Sequence, residues 1–348
     1  MTTGPLHWEL LQRGRAVDNQ LYVATVSPAR DESASYTAWG HSTVVDPMGE
    51  VIATTEEHED IVYSDLALNL ALIQLVAKSS KDESLSQMST KVKEATCHGA
   101  ELIVLPESFN CPYDEKYFTD FAEAIPGQSS NVLSNVAKEN GIYLVGGSIV
   151  EKLDGKFYNT CTVWSPEGEL VAKYQKAHPF DINIPGGTSF KESEFFTPGT
   201  SFATFDVSGF KIGLGICYDL RFAELAQVYS RLGCHVIIYP GAFSMTTGPL
   251  HWELLQRIRA VDNQVYIATA SLARDTSGPF IAWGHSTVVD PKGKILATTE
   301  EKEDIVYCEL DLKHLNKVRK MIPITFHRRN DLYDIVVEGK SFNSQEKS

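Results

Sequence analysis

The sequence predicts an α/β protein in which sheet packs on sheet and helices cover the outside. Three observations carry this. Helical periodicity alternates with short apolar runs at both ends of residues 67–335. Hairpin signals sit between them, at Leu153-Asp-Gly155, Ser165-Pro-Glu-Gly168 and Asp290-Pro-Lys-Gly293. Several runs are apolar at consecutive positions, as in strands covered on both faces. A chain of 348 residues, 43% hydrophobic and 22% charged, has a globular composition and room for one large or two ordinary domains.

The net charge of −14, with no basic tract, excludes nucleic acid as a partner. It also requires any anionic ligand to meet locally supplied positive charge. The six cysteines (97, 111, 161, 217, 234 and 308) are scattered, without a Cys-x-x-Cys pair. No charged-then-apolar leader opens the chain and no apolar run reaches membrane length. Together these point to a reducing, intracellular compartment: the cytosol by default, with a mitochondrial pool as the alternative. Cys97-His98 and Cys234-His235 are adjacent rather than at ligand spacing, so neither a metal site nor a cofactor is expected.

Residues 1–66 match residues 245–310 without a gap, with 49 of 66 positions identical. Both copies open Met-Thr-Thr-Gly-Pro-Leu-His-Trp-Glu-Leu-Leu-Gln-Arg. Two copies so far apart do not make a solenoid. The organisation read here is a partial repeat at 1–66 with no active site of its own, a complete domain at 67–335 and a polar tail at 336–348. The first copy begins at a Met that aligns with the internal Met245, as an upstream duplicate stripped of its front would; a transcript starting near codon 67 would remove it. The fragment holds a helix at 6–17, a strand at 21–26, a hairpin around Asp46-Pro-Met-Gly49 and a strand at 61–63. These would expose apolar faces and strand edges unless they swap into another subunit. Gly14 replaces Ile258 of the full copy and weakens the helix by roughly 0.5–1 kcal/mol relative to Ala.

In the complete domain, strands are expected at 70–75 and 101–105, with a helix at 85–98 between them that stops at Gly99. A helix at 131–140 stops at Gly141. A strand at 142–150 is interrupted at Gly146-Gly147, and strands at 157–164 and 170–174 follow. The segment 175–200 has little period and contains Pro185-Gly-Gly; a loop this long in a compact domain is ordinarily functional. Then come strands at 202–207 and 210–216, a helix at 223–232, a strand at 235–239 and a loop rich in glycine and hydroxyls from Pro240 to Gly248. A helix at 250–263, a strand at 265–270, the Asp290 hairpin and a strand at 305–310 finish the sheets.

Three residues stand just past apolar strands, where α/β proteins gather functional groups: Glu107, Lys176 and Cys217. A Cys between apolar residues is ordinarily inert core. Here it sits where a strand hands over to a helix, so the helix dipole should favour thiolate. Gly213 and Gly215 should let a backbone or substrate come close. A Cys nucleophile needs a base or cation. His178, His235, His251 and His285 are candidates, each ordinarily a structural residue. A Glu–Lys pair serves as well: Lys176 would lower the thiol pKa and hold an oxyanion, and Glu107 would take and return the proton.

Leu105-Pro-Glu107, Lys173-Tyr-Gln-Lys176 and Gly215-Ile-Cys217-Tyr-Asp219-Leu-Arg221 resemble the ordered Glu–Lys–Cys signature of the nitrilase superfamily of carbon–nitrogen hydrolases. The resemblance covers about 67–335. Asn110-Cys-Pro-Tyr113, Phe222-Ala-Glu-Leu-Ala-Gln, Tyr239-Pro-Gly-Ala-Phe243, His251-Trp-Glu-Leu-Leu-Gln-Arg and Arg259-Ala-Val-Asp-Asn-Gln264 are similar to the omega-amidase group within it. The resemblance implies a four-layer α-β-β-α sandwich, usually a homodimer joined through its helices. It implies hydrolysis of 2-oxoglutaramate and 2-oxosuccinamate to ammonia and the 2-oxo diacid through a Cys217 thioester. The oxyanion would be held by Lys176 and the backbone N–H of Tyr218, and Glu107 would act as base and acid. Glu192 matches a second active-site Glu by motif, against a solvated loop charge. Asp219 and Arg221 support the Cys loop. Tyr113, Phe243, Thr246 and Thr247 are expected to wall the pocket. The same three residues also serve nitrile, N-carbamoyl and deaminated-glutathione hydrolysis. A non-catalytic interaction protein on the same fold is the reading from another class. Residues 1–66 depart from the family pattern.

Overall fold

A computed structural model describes residues 3–19, 21–45, 49–62, 67–183, 189–278, 280–337 and 340–341. The chain divides into two compact units, Met1–Leu66 and Ala67–Ser348. In the first, α1 (Gly4–Asn19) precedes β1 (Val23–Thr25), β2 (Thr43–Val45) and β3 (Val51–Thr54), a three-stranded antiparallel sheet in that order.

The second unit runs β4 (Ala67–Gln74), α2 (Lys81–Cys97), β5 (Leu102–Val104), α3 (Glu115–Phe121), α4 (Gln128–Asn140), β6 (Tyr143–Val145), β7 (Ile149–Leu153), β8 (Lys156–Trp164) and β9 (Leu170–Gln175). It continues with β10 (Asp181–Asn183), β11 (Ser189–Lys191), β12 (Thr204–Val207), β13 (Phe210–Leu214), α5 (Ala223–Arg231), β14 (Val236–Gly241), α6 (Gly248–Asn263) and β15 (Tyr266–Ser271). The last elements are β16 (Thr287–Val289), β17 (Ile295–Thr298), β18 (Asp304–Asp311), α7 (Leu312–Met321), α8 (Ile324–His327), β19 (Val336–Val337) and β20 (Lys340–Ser341).

One sheet has the order β18-β4-β5-β6-β8-β7, with β9 on the other edge of β8; the second runs β12 to β17 in sequence. Both are parallel at the centre, β4-β5-β6 and β13-β14-β15, and antiparallel at the flanks. The period-2 alternation of β4 explains the layering. Leu68, Leu70 and Leu72 enter the core with Phe205, Ile212, Leu214 and Ile238 of the facing sheet. Ala71, Ile73 and Leu75 turn the other way, onto Leu85, Met88 and Val92 of α2 and Leu133 and Val136 of α4. Leu225 and Tyr229 of α5 and Trp252 and Ala260 of α6 cover the second sheet. Each fully buried side chain of this size contributes roughly 1.5–3 kcal/mol over leaving it exposed. The result is the α-β-β-α order expected.

Several details differ from the sequence reading. The strand expected at 142–150 is two, β6 and β7, lying in succession along one edge of β8. They break at Gly146-Gly147 because Gly147 has φ +57° and a Cβ there would lie 2.1 Å from the Pro106 carbonyl oxygen. The long segment after β9 contains the antiparallel pair β10 and β11; Pro185-Gly-Gly lies outside the described residues. Helices α3 and α7, each capped by an Asp side chain (Asp114, Asp311), were not foreseen. The tail begins with the β19–β20 ladder rather than irregular chain, and 342–348 lie outside the description. In the first unit, Ile61 and Val62 are not strand. The matching residues of β18 are held by β4, and the first unit contains no counterpart of β4 among its described residues. Tyr63 and the turn residues 46–48 lie outside the described residues.

Candidate active site

Glu107 stands three residues past β5, Lys176 immediately past β9 and Cys217 three residues past β13. The structure brings them together with Glu192, all four buried. Lys176 Nζ donates to Glu107 Oε1 (2.8 Å) and to both Glu192 oxygens (3.1 and 2.8 Å). Asn159 Nδ2, on β8, bridges the same carboxylates, donating to Glu107 Oε1 (2.9 Å) and Glu192 Oε1 (3.2 Å). The Tyr113 hydroxyl (3.2 Å) and the Phe180 N–H also donate to Glu192. Glu107 and Cys217 interact side chain to side chain, while Glu107 Oε2 is buried without a full hydrogen bond.

The turn that carries the nucleophile candidate is strained and firmly held. Cys217 has φ +45°, the left-handed region, which costs a non-glycine residue about 1–3 kcal/mol. It opens a five-residue 3-10 turn, Cys217–Arg221, and α5 starts only at Ala223. This corrects the expectation of a helix dipole at the thiol: a single 3-10 turn separates the sulfur from the helix. The Ala242 N–H points at Sγ from 3.4 Å. Asp219, fully buried, accepts from the Ile216 N–H (2.8 Å), the Tyr174 hydroxyl (2.8 Å) and the His178 N–H (3.1 Å), and its Oδ1 lies 2.6 Å from His178 Nδ1. Gly213 and Gly215 do not clear space for substrate. A Cβ at Gly213 would meet the Tyr229 ring at 2.6 Å and one at Gly215 the Tyr239 ring at 2.4 Å.

Burial dominates the electrostatics. It pushes the Glu107 carboxyl above the usual carboxylate range, opposed by Lys176 and reinforced by Glu192. It pushes the Cys217 thiol well above its ordinary value; the Glu107 charge adds to this and Lys176 opposes it. Burial would push the Lys176 ammonium down, but the two glutamates overturn that and hold it charged, well above its ordinary value. The resting nucleophile candidate is therefore a neutral thiol. The lysine is committed to carboxylates rather than to a thiolate, unlike the expectation from sequence.

A cavity of about 500 Å3 is walled by Tyr113 and Phe180, the two donors to Glu192, and by Phe190, Phe280, Lys191 and Ser244 among others; none of the four cluster residues lines it. Of the four expected wall residues Tyr113 lies in it. Phe243 is buried edge-on against Trp252, with the Arg221 guanidinium 4.9 Å from its ring centroid. Thr246 is exposed, and Thr247 is the residue before α6. Tyr218 places its ring edge-on to Phe180 and Phe222. None of the four histidines is hydrogen-bonded to the Cys217 sulfur. His178 faces Asp219, His251 the Arg221 guanidinium (3.2 Å) and His285 the Thr299 carbonyl. His235 accepts from the Lys211 N–H and is pushed down to about 4 by burial. The residue missed from sequence is Asn159; its one signal was an amide inside a strand of aromatic and β-branched residues. Among the described residues no group of three or more His, Cys, Asp or Glu can hold a metal ion, and no helix is long and apolar enough to cross a membrane.

The carbon-nitrogen hydrolase family model matches residues 1–71 and again 69–320. The chain belongs to the carbon–nitrogen hydrolase family. It is 56% identical to the omega-amidase NIT2 of Mus musculus over 266 residues, 76% of this chain and 96% of that protein. It is 55% identical to the omega-amidase NIT2 of Homo sapiens over 269 residues, 77% and 98% of the two chains. Among solved structures, Saccharomyces cerevisiae Nit3, a member of branch 10 of the nitrilase superfamily, matches with a TM-score of 0.70 at 41% identity, covering 76% of this chain and 97% of that one. The C. elegans NitFhit protein matches with a TM-score of 0.71 at 31% identity, covering 77% and 66%.

Proposed function

We propose that the chain is an amidase of the omega-amidase kind, hydrolysing the terminal amide of 2-oxoglutaramate and 2-oxosuccinamate to the 2-oxo diacid and ammonia. The observation that carries the reading is the buried contact of Glu107, Lys176 and Cys217, beside relatives named omega-amidase. Glu107 takes the thiol proton as Cys217 Sγ attacks the amide carbon. Lys176 and the Tyr218 N–H stabilise the oxyanion. The proton on Glu107 passes to the leaving nitrogen, the C–N bond breaks and ammonia departs from a thioester. Water, deprotonated by the same glutamate, then attacks the thioester and releases the acid and the thiol. Glu192 keeps Lys176 charged and oriented. Tyr113 walls the acyl site. The working form is a homodimer acting on a small soluble amide in the cytosol, with a mitochondrial pool as the alternative.

Ammonia release separates the readings. Turnover of 2-oxoglutaramate and 2-oxosuccinamate, absent in Cys217→Ala, supports the proposal. Turnover confined to nitriles, N-carbamoyl amino acids or deaminated glutathione moves the chain to another activity of the superfamily. No turnover of any of them by folded protein supports a non-catalytic role.

A further inference from the structure

The Cys217 turn and the Lys176 strand exit are tied together through one buried carboxylate. Asp219, two residues after Cys217, accepts both the backbone N–H (3.1 Å) and the ring Nδ1–H (2.6 Å) of His178, two residues after Lys176. The second oxygen of the same carboxylate holds the Ile216 N–H (2.8 Å) across the turn that contains the left-handed Cys217, together with the Tyr174 hydroxyl from β9 (2.8 Å). One buried carboxylate thus fixes the separation of the two reactive groups and the unusual backbone of one of them. Among the described residues no Lys or Arg is paired with Asp219; its partners are the donors just named.

His178 is the partly exposed member of this clamp. Its ring stacks on Phe222, the residue between the 3-10 turn and α5, with centroids 3.7 Å apart and planes 10° off parallel. Its side chain is a third exposed, whereas that of Asp219 is fully buried. His178 and Phe222 form one wall of a second cavity of about 500 Å3, lined also by Phe202, Leu225 and Ile335–Val337. The residues lining this cavity do not overlap those lining the one walled by Tyr113 and Phe180.

We propose that His178 is a positioning residue: acting through Asp219, it sets the place of the Cys217 turn relative to Lys176 and so determines how fast the thiol reacts. The proposal rests on Cys217 being the nucleophile. His178 does not line the cavity walled by Tyr113 and Phe180 and bonds to Asp219 rather than to the sulfur, so its loss is expected to act on the chemical step and leave substrate binding alone.

The test compares His178→Phe, which keeps a ring against Phe222 and loses the bond to Asp219, with His178→Asn, which places an amide nitrogen near the position of Nδ1. Steady-state kinetics on 2-oxoglutaramate is paired with the rate of iodoacetamide alkylation at Cys217, read by mass spectrometry of the peptide that carries it. The expected result is a 10- to 100-fold fall in kcat for His178→Phe with KM within twofold, a parallel fall in the Cys217 alkylation rate, and at least a fivefold recovery of both in His178→Asn. Unchanged kcat and alkylation in His178→Phe overturns the proposal. So does an equal loss in both variants that follows only the folded fraction. A Cys217→Ser control separates the two readings: undiminished turnover there rejects the nucleophile assignment, while the alkylation comparison still reports on the clamp.

Discussion

Glu107 and Cys217 are shifted the same way by the same cause, removal from water, and this decides how the site works at the scale of single residues. On the proposed mechanism the thiol holds its proton until an acceptor beside it takes it, and that acceptor is a carboxyl whose own affinity for protons is raised. The base must be ionised, so kcat/KM should fall as pH drops through the raised Glu107 value, placing the acid limb above the ~4.3 of an ordinary Glu. An acid limb at or below that value in a pH profile would remove Glu107 from the role. Linkage fixes the sign for stability. The folded state binds the Glu107 proton more tightly than the unfolded chain does. The group therefore contributes stability that is fully present below its unfolded value and is lost as pH rises through the folded one. Glu107→Gln should abolish turnover, a loss of at least ~10³-fold on the scale of general acid–base catalysis combined with nucleophile activation. It should also gain stability relative to wild type as pH rises from 4 to 8, which denaturant melts at the two pH values will measure. Glu107, Lys176 and Cys217 were legible in the sequence because each follows an apolar strand. Asn159 was not, because the bond of one amide to two glutamates far apart in sequence is a tertiary event. The charge state of the thiol was misread for a related reason: sequence shows the helix that follows, not the depth of burial.

At the scale of elements, the strands were placed well because their apolar runs are bounded by glycines and hairpin signals. What they carry was less legible. Gly213 and Gly215 read as access for substrate and turned out to accommodate the rings of Tyr229 and Tyr239. Gly215→Ala should therefore act through packing: overfilling a rigid interior costs about 1–3 kcal/mol, measured as a lower denaturation midpoint with an unchanged m-value. Full stability in this variant would mean that the Tyr239 ring yields freely. The helix dipole expected at Cys217 failed because φ +45° breaks the strand-to-helix passage with a 3-10 turn, a backbone choice that propensity does not reveal. Helices α3 and α7 escaped because each is short and begins at a single Asp.

At the scale of the whole chain, duplication was plain from identity alone, and its structural outcome follows from what was not duplicated. Helix α1 repeats local bonds of α6: Trp8 Nε1 reaches the His41 carbonyl as Trp252 reaches that of His285, both at 2.6 Å. Yet β15 is buried at every position between β14 and β16, whereas β1 has one partner and Val26 just beyond it is 87% exposed. The first unit contributes none of Glu107, Lys176, Glu192 or Cys217. Protein lacking residues 1–66 should keep kcat/KM within twofold, and limited proteolysis should cut first within 1–66, where local stability is lowest. Loss of turnover on this deletion, or cleavage first within 67–335, would show that the fragment supports the complete domain.

The dry surroundings of Cys217 also govern its fate under oxidative stress. Sulfenic acid forms on thiolates that peroxide can reach, and Cys217 is 7% exposed and held protonated. Cys97, exposed at the end of α2, should consume hydrogen peroxide first, and turnover should outlast the first oxidised thiol. On the proposed mechanism, the same concealment that makes Cys217 wait for an amide would spare it from irreversible loss.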